Sequence, residues 1–120
     1  MLRMAREGRS IQVVDDQLGT PTSCRALARQ LRAAVEGGWR GLFHATCGGE
    51  TSWHGFAEEI FRLAKVPARL SPCGTMDFQR AARRPSYSVL DNTKRLAAGP
   101  DLMPDWREAL AEVLAAGVEK

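Results

Sequence analysis

Asp15, Asp16 and Gln17 stand together at the end of an apolar run that contains Ile11, Val13 and Val14. Two carboxylates and an amide could form an acid/base pair or hold a metal. Neighbouring residues on a strand point to opposite faces, so Asp15 and Asp16 do not converge on one proton. A cation would need further oxygen ligands, and the sequence offers none that can be placed. The remaining role is to brace the turn that follows. A second group, Arg83-Arg84-Pro85, suits an anion. Proline drives the residue before it into an extended conformation, which aims the Arg84 side chain, and a guanidinium donates to phosphate in pairs. A solvated basic turn is the plainer alternative. Gly48-Gly49 invites a phosphate-loop reading because helix N-termini offer free N–H groups. No G-x-G-x-x-G or G-K-[ST] is present, and Glu50 at the mouth would repel phosphate, so a tight connection is expected instead. His44 and His54 have no metal spacing, and Cys24, Cys47 and Cys73 form no CxxC pair; three reduced thiols are expected.

The elements that must position these groups follow from periodicity and punctuation. Residues 2–7 read as the last turns of a helix stopped by Gly8. Residues 11–15 are β-forming. Gly19 permits a turn, and Thr20-Pro21 fits an N-cap with proline at the first helical position. The spacing predicts a helix over 22–36 with Leu27, Leu31, Ala34 and Val35 inward and Arg25, Arg29 and Arg32 outward. Gly37-Gly38 ends it, with Trp39 at the junction. A second strand is expected over 41–46. Trp53, Phe56, Ala57, Ile60, Phe61 and Ala64 have helical spacing over 53–65, with Thr51 or Ser52 as cap and Pro67 as terminator. Residues 68–70 could be a short strand, Asp77-Phe78-Gln79 a turn, and 86–90 an extended segment. Asp91 can cap a helix over 92–98, stopped by Gly99-Pro100. Asp105 caps the last helix, with Glu108 three residues on as in a capping box and Trp106, Leu110, Val113 and Leu114 buried. Trp53 and Trp106 both sit at core spacing. Strands alternating with helices give an α/β class, helix-rich, with two or three short strands. Two short strands make a poor free-standing sheet, so the chain is expected either to dimerise or to pack against a sheet supplied from elsewhere.

The 120 residues are 44% hydrophobic and 26% charged, with a net charge of +3, which fits one ordinary globular domain. The excess basic residues are scattered apart from Arg80, Arg83 and Arg84, and few aromatics lie among them, so a small phosphorylated ligand fits better than nucleic acid. No apolar run approaches the length of a membrane span, and Met1 to Glu7 lacks the apolar core of a signal peptide. A cytoplasmic location is the expectation.

Val13-Val14-Asp15-Asp16-Gln17-x-Gly19-x-Pro21-Thr22 resembles the dTDP-4-dehydrorhamnose reductase family, a branch of the extended short-chain dehydrogenases. The likeness continues through Gly41-Leu42-Phe43-His44, Gly49-Glu50-Thr51-Ser52-Trp53, Arg84-Pro85-x-x-Ser88-x-Leu90-Asp91 and Pro104-Asp105-Trp106-Arg107-Glu108-Ala109-Leu110. These pieces cover nearly the whole chain and correspond to the C-terminal part of the family's chain. The resemblance implies the C-terminal part of a Rossmann-like fold that binds a dTDP-sugar. It puts Arg84 on the diphosphate and makes Gln17, Thr22 and Ser88 substrate contacts. The family reduces the 4-keto group of dTDP-4-dehydro-L-rhamnose with NADPH, using an N-terminal glycine motif and a Tyr-x-x-x-Lys pair. The single tyrosine here is Tyr87, with Asp at position 91, and neither motif is present. The expectation is therefore a single substrate-binding portion over residues 1–120. It would have no NADPH site or catalytic residue of its own, would be inactive alone, and would be partnered by an N-terminal Rossmann half or by a second copy. A different class remains open beside it: a non-catalytic regulatory module derived from the same family that engages a protein partner.

Overall fold

The computed structural model describes residues 1–77 and 82–117. It divides into two compact units: Met1–Gly19 with Thr51–Ser88, and Thr20–Glu50 with Val89–Lys120.

The first unit is built on two parallel strands, β1 (Ser10–Val14) and β4 (Arg69–Cys73), paired from Ser10–Arg69 to Val14–Cys73. Strand β4 is longer than the three residues expected from sequence. Pro72 lies within it, as an edge strand allows. Helices α1 (Leu2–Arg6) and α3 (Trp53–Ala64) belong to the same unit. Ala5, Ile11, Ala57 and Phe61 are its buried cluster, with Leu2, Val13, Val66 and Leu70 packed against it. Burying a side chain such as Phe61 contributes roughly 2 kcal/mol. Gly8 ends α1 with φ +68°, as expected. Helix α3 ends without glycine, at Lys65, whose φ of 53° is left-handed.

Trp53 departs from expectation: its exposure is 58%, so it is not a core residue. It lies on the same stripe as Ala57 and Phe61, one turn earlier, but is not among the residues packed on the buried cluster. Helical spacing identifies a stripe; it does not say how far the layer beneath extends along it.

A second, short ladder in this unit pairs β2 (Leu18–Gly19) antiparallel with β3 (Thr51–Ser52). Residues 86–88 lie along the other side of Leu18. The Leu18 amide donates to the Ser86 carbonyl at 2.8 Å, and the Ser88 amide donates to the Leu18 carbonyl at 2.9 Å. The extended reading of 86–90 thus becomes an isolated parallel bridge between Leu18 and Tyr87.

The second unit holds α2 (Cys24–Glu36), α4 (Thr93–Ala98) and α5 (Trp106–Ala115). Three expectations are corrected here. The cap of α2 is Ser23, whose hydroxyl accepts from the Ala26 amide at 3.1 Å, in place of Thr20-Pro21. Its buried face runs through Ala26 and Gln30, while Leu31 is exposed and Val35 is 80% exposed. The cause is polar. The Gln30 side chain donates to the Pro100 carbonyl and accepts from the Leu102 amide at 2.9 Å, and Arg95 donates to it at 3.4 Å. Hydropathy assigns a glutamine outward, but a glutamine with these partners is content inside. Finally, residues 41–46 are not a strand. Their backbone is held by side chains and a kink instead of a ladder: the Thr46 amide donates to Asn92 Oδ1, and Gly41 has φ +107°. β-forming residues become a strand only beside a partner strand. Among the described residues none lies beside 41–46.

Trp39 stacks obliquely on Phe43 at 5.1 Å, and the Lys94 ammonium lies 4.7 Å over the Phe43 ring. Asn92, in place of the expected Asp91, is the N-cap of α4 and makes no side-chain cap bond; Asp91, one residue earlier, accepts from the Thr93 amide at 2.8 Å. Asp105 accepts from the Arg107 amide and caps α5, in which Trp106, Ala109 and Leu110 are buried. Phe78 and Gln79, where part of a turn was expected, lie outside the described residues, as does Arg80 of the basic cluster.

Candidate functional site

The two parallel strands of the first unit end on the same side, and their carboxyl ends hold most of the residues of interest. Open parallel layers place ligands at such ends. The Asp15 amide donates to the Cys73 carbonyl at 3.0 Å, which extends the pairing one residue beyond β1. The chain then leaves the sheet through Asp16, Gln17 and β2 on one side and through Gly74 and a single 3-10 turn, Thr75–Asp77, on the other.

Asp15 and Asp16 do diverge, and each braces a different element. Asp15 accepts from the Ser52 hydroxyl at 2.5 Å. Ser52 in turn accepts from the Gly55 amide at 2.9 Å and caps α3. One hydroxyl therefore ties the N-terminus of α3 to the end of β1. Ser52→Ala is expected to lower stability by about 1–2 kcal/mol, the usual worth of an N-cap. Urea denaturation would register this as a lower midpoint with an unchanged slope.

Asp16 accepts from the Thr75 amide through both oxygens, at 3.0 and 2.9 Å, and from the Thr75 hydroxyl at 2.6 Å. Those bonds, the side-chain one foremost, hold the Asp16 carboxyl below its ordinary value of 3.8. Gln17 donates from Nε2 to Thr75 Oγ1 at 2.9 Å. Asp77 accepts from the Gly74 amide at 2.7 Å and shapes the same turn. Burial, with the Asp77 and Asp16 charges after it, pushes the Cys73 thiol up. Cys73 is thus held as a thiol, away from nucleophilic chemistry.

Ser88 is exposed and donates from Oγ to the Leu18 carbonyl at 3.0 Å. Gly19 lies opposite it, and a Cβ there would sit 3.0 Å from the Ser88 hydroxyl oxygen. Arg84 is exposed, two residues ahead of the segment that flanks Leu18. The structure therefore brings Ser88 onto β2, which Gln17 immediately precedes, and shows no bond from Arg84 to either among the described residues. Thr75 was not singled out in the sequence. The irregular composition of 66–82 concealed it, and the extension of β4 to Cys73 would have revealed it.

Thr22, the fourth expected contact, belongs to the second unit. Its hydroxyl donates to the Thr20 carbonyl and accepts from the Cys47 amide, both at 3.2 Å. Nearby in that unit is a cleft of about 290 Å³ lined by Thr20, Cys47, Gly48, Glu50, Leu90 and Asn92. Much of its polar lining is already bonded. The Thr20 hydroxyl donates to the Gly49 carbonyl, and the Asn92 amide bonds the Thr46 side chain and backbone. Gly48 is a tight connection, as expected: it exchanges backbone bonds with Pro104 and Trp106. His44 lies 3.1 Å from the Asp91 carbonyl, and His54 pairs with Glu58 at 3.8 Å. Among the described residues no three His, Cys, Asp or Glu side chains group as metal ligands. None of the described helices is long and apolar enough to cross a membrane.

The sequence pattern of the RmlD substrate binding domain matches residues 1–118. A dTDP-4-dehydrorhamnose reductase of Streptomyces griseus is 42% identical over 93% of this chain, and one of Mycolicibacterium smegmatis is 39% identical over 98%. The chain spans 39% and 37% of those two relatives. Among solved structures, a dTDP-4-dehydrorhamnose reductase from Clostridium acetobutylicum superposes with a TM-score of 0.90 at 40% identity, over 96% of this chain and 41% of that one. The Bacillus anthracis enzyme in complex with NADP gives 0.90 at 32% identity, over 97% and 41%.

Proposed function

Since this chain belongs to the family of RmlD substrate-binding domains, we propose that it is the dTDP-sugar-binding portion of an NADPH-dependent dTDP-4-dehydrorhamnose reductase. The observation that carries this reading is the match across residues 1–118, by a chain that spans about two fifths of its reductase relatives. In this reading residues 1–120 form a single functional portion. Arg84 grips the diphosphate, and Gln17, Ser88 and Thr22 contact the remainder of the nucleotide-sugar. The hydride from NADPH and the proton for the new alcohol come from a Rossmann portion outside these residues, and the 120 residues alone do not turn over substrate. The protein works in the cytoplasm, where nucleotide-sugars are made.

The exposed position of Arg84 suits this role, since its guanidinium can meet a diphosphate without first leaving another partner among the described residues. Arg84→Ala should weaken binding of dTDP-rhamnose at least tenfold in a calorimetric titration. Thymidine, which carries no phosphate, should bind both proteins alike. Equal affinity of wild type and variant for dTDP-rhamnose would remove Arg84 from the site. A chain that binds no dTDP-sugar would favour the second reading, a regulatory module that engages a protein. The exposed Leu31 and Val35 of α2 give that reading a surface to use.

A further inference from the structure

The reading that Gln17 contacts a nucleotide-sugar can be taken one step deeper, to the chemistry that Gln17 selects, and this step rests on the function proposed above. An amide side chain can present either its carbonyl oxygen or its NH₂ group, and the two ends select opposite ligand groups. Here the surroundings settle the choice. The Thr75 hydroxyl has one proton, and it is given to Asp16 Oδ1 at 2.6 Å. Asp16, ionised at neutral pH, can only accept. Thr75 Oγ1 therefore has only lone pairs left to offer, and the group facing it at 2.9 Å must be the Gln17 NH₂. Gln17 Oε1 points the other way and has no protein donor among the described residues.

We propose that the Asp16–Thr75–Gln17 chain fixes the Gln17 amide so that its carbonyl oxygen reads a hydrogen-bond donor on the ligand. Thr75 and Asp16 are positioning residues and Gln17 is the reader. Two groups of a dTDP-sugar have the required chemistry: the imide N–H of the base and the hydroxyls of the sugar. A site built to accept from a donor rejects an analogue that lacks it, because its own oxygen is then left unpaired.

The orientation is testable without ligand. In the free ¹⁵N-labelled chain, the Gln17 side-chain NH₂ should show a nuclear Overhauser contact to the Thr75 methyl and slowed exchange with water. Thr75→Ser, which keeps the hydroxyl, should retain the slowed exchange, and Thr75→Val, which keeps the shape, should lose it. An NH₂ that exchanges equally fast in all three proteins overturns the inference, whether or not any nucleotide binds. Ligand readout follows with dTDP-rhamnose: Thr75→Ser should bind within twofold of wild type and Thr75→Val about tenfold more weakly. Asp16→Ala removes the acceptor of the Thr75 proton, lets the amide turn over, and should weaken binding by a similar factor. If N3-methyl-dTDP binds wild type poorly but Gln17→Leu as well as dTDP does, the donor is the base. If that sensitivity appears only between dTDP-rhamnose and dTDP, it is the sugar. Equal binding by Thr75→Val and wild type would overturn the ligand half of the inference. A wild type with slowed NH₂ exchange that binds no dTDP compound would overturn that half together with the proposed function.

Discussion

Asp101→Ala is expected to destabilise the fold by about 3 kcal/mol. The reason lies in its partner. Arg95 is 3% exposed, its guanidinium cannot shed its charge, and it donates to Asp101 and, at 3.4 Å, to Gln30 Oε1. Its Nε has no partner among the described residues. Without Asp101 a buried cation would keep one long hydrogen bond, and breaking such a pair from one side costs about 3–5 kcal/mol. The lower end applies because Asp101 is itself partly exposed. Asp101→Asn retains an acceptor for both Arg95 and the Met103 amide, which bonds Asp101 at 3.0 Å, so it should lose about half as much. Chemical denaturation at pH 7 would measure both.

The same pair predicts a pH dependence. Burial by itself would raise the Asp101 carboxyl, but the Arg95 hydrogen bond, the Met103 amide and the Arg95 charge together outweigh it and leave it below 3.8. A carboxyl lowered on folding contributes stability that is fully present above its unfolded value and is lost as pH falls through the folded one. The wild type should therefore lose stability below about pH 4, and Asp101→Ala should lose less over that interval. A variant as acid-sensitive as wild type would show that other carboxylates carry the effect.

Gly49→Ala should cost about 3 kcal/mol, and Gly8→Ala about 1 kcal/mol. Both glycines are left-handed, with φ +76° and +68°, a conformation that costs other residues roughly 1–2 kcal/mol. They differ in space. A Cβ on Gly49 would lie 2.7 Å from Asp105 Oδ2 and 2.9 Å from the Trp106 ring, whereas Gly8 has nothing within 4 Å. Trp106 is buried and cannot step aside, so overpacking adds about 1–3 kcal/mol at Gly49 alone. Thermal unfolding of the two variants side by side separates conformational strain from collision, and equal losses would show that no collision occurs.

These examples also show what the sequence made legible. Local signals held where one residue sets one feature: Ser52, one of two candidate caps, Gly8 as a stop, Asp105 at the start of α5 and the α/β class from alternating elements. Signals failed where a distant partner decides. Gln30 reads as a surface residue until Arg95, Pro100 and Leu102 are placed around it. Residues 41–46 have strand chemistry, but a strand needs a neighbour. Trp53 has core spacing and lies exposed. Within the site, Asp16 and Gln17 stood out as a polar pair at a strand end. The feature that gives Gln17 a direction, Thr75, lies 58 residues away and meets it only because β1 and β4 pair in parallel.

The most direct measurement is a calorimetric titration of dTDP-rhamnose into the wild-type chain, with dTDP as competitor and UDP-glucose as control. Saturable binding at one site per chain is expected, displaced by dTDP and matched by no comparable heat from UDP-glucose. A folded chain that gives no heat with either dTDP compound, or binds UDP-glucose as tightly, would contradict it.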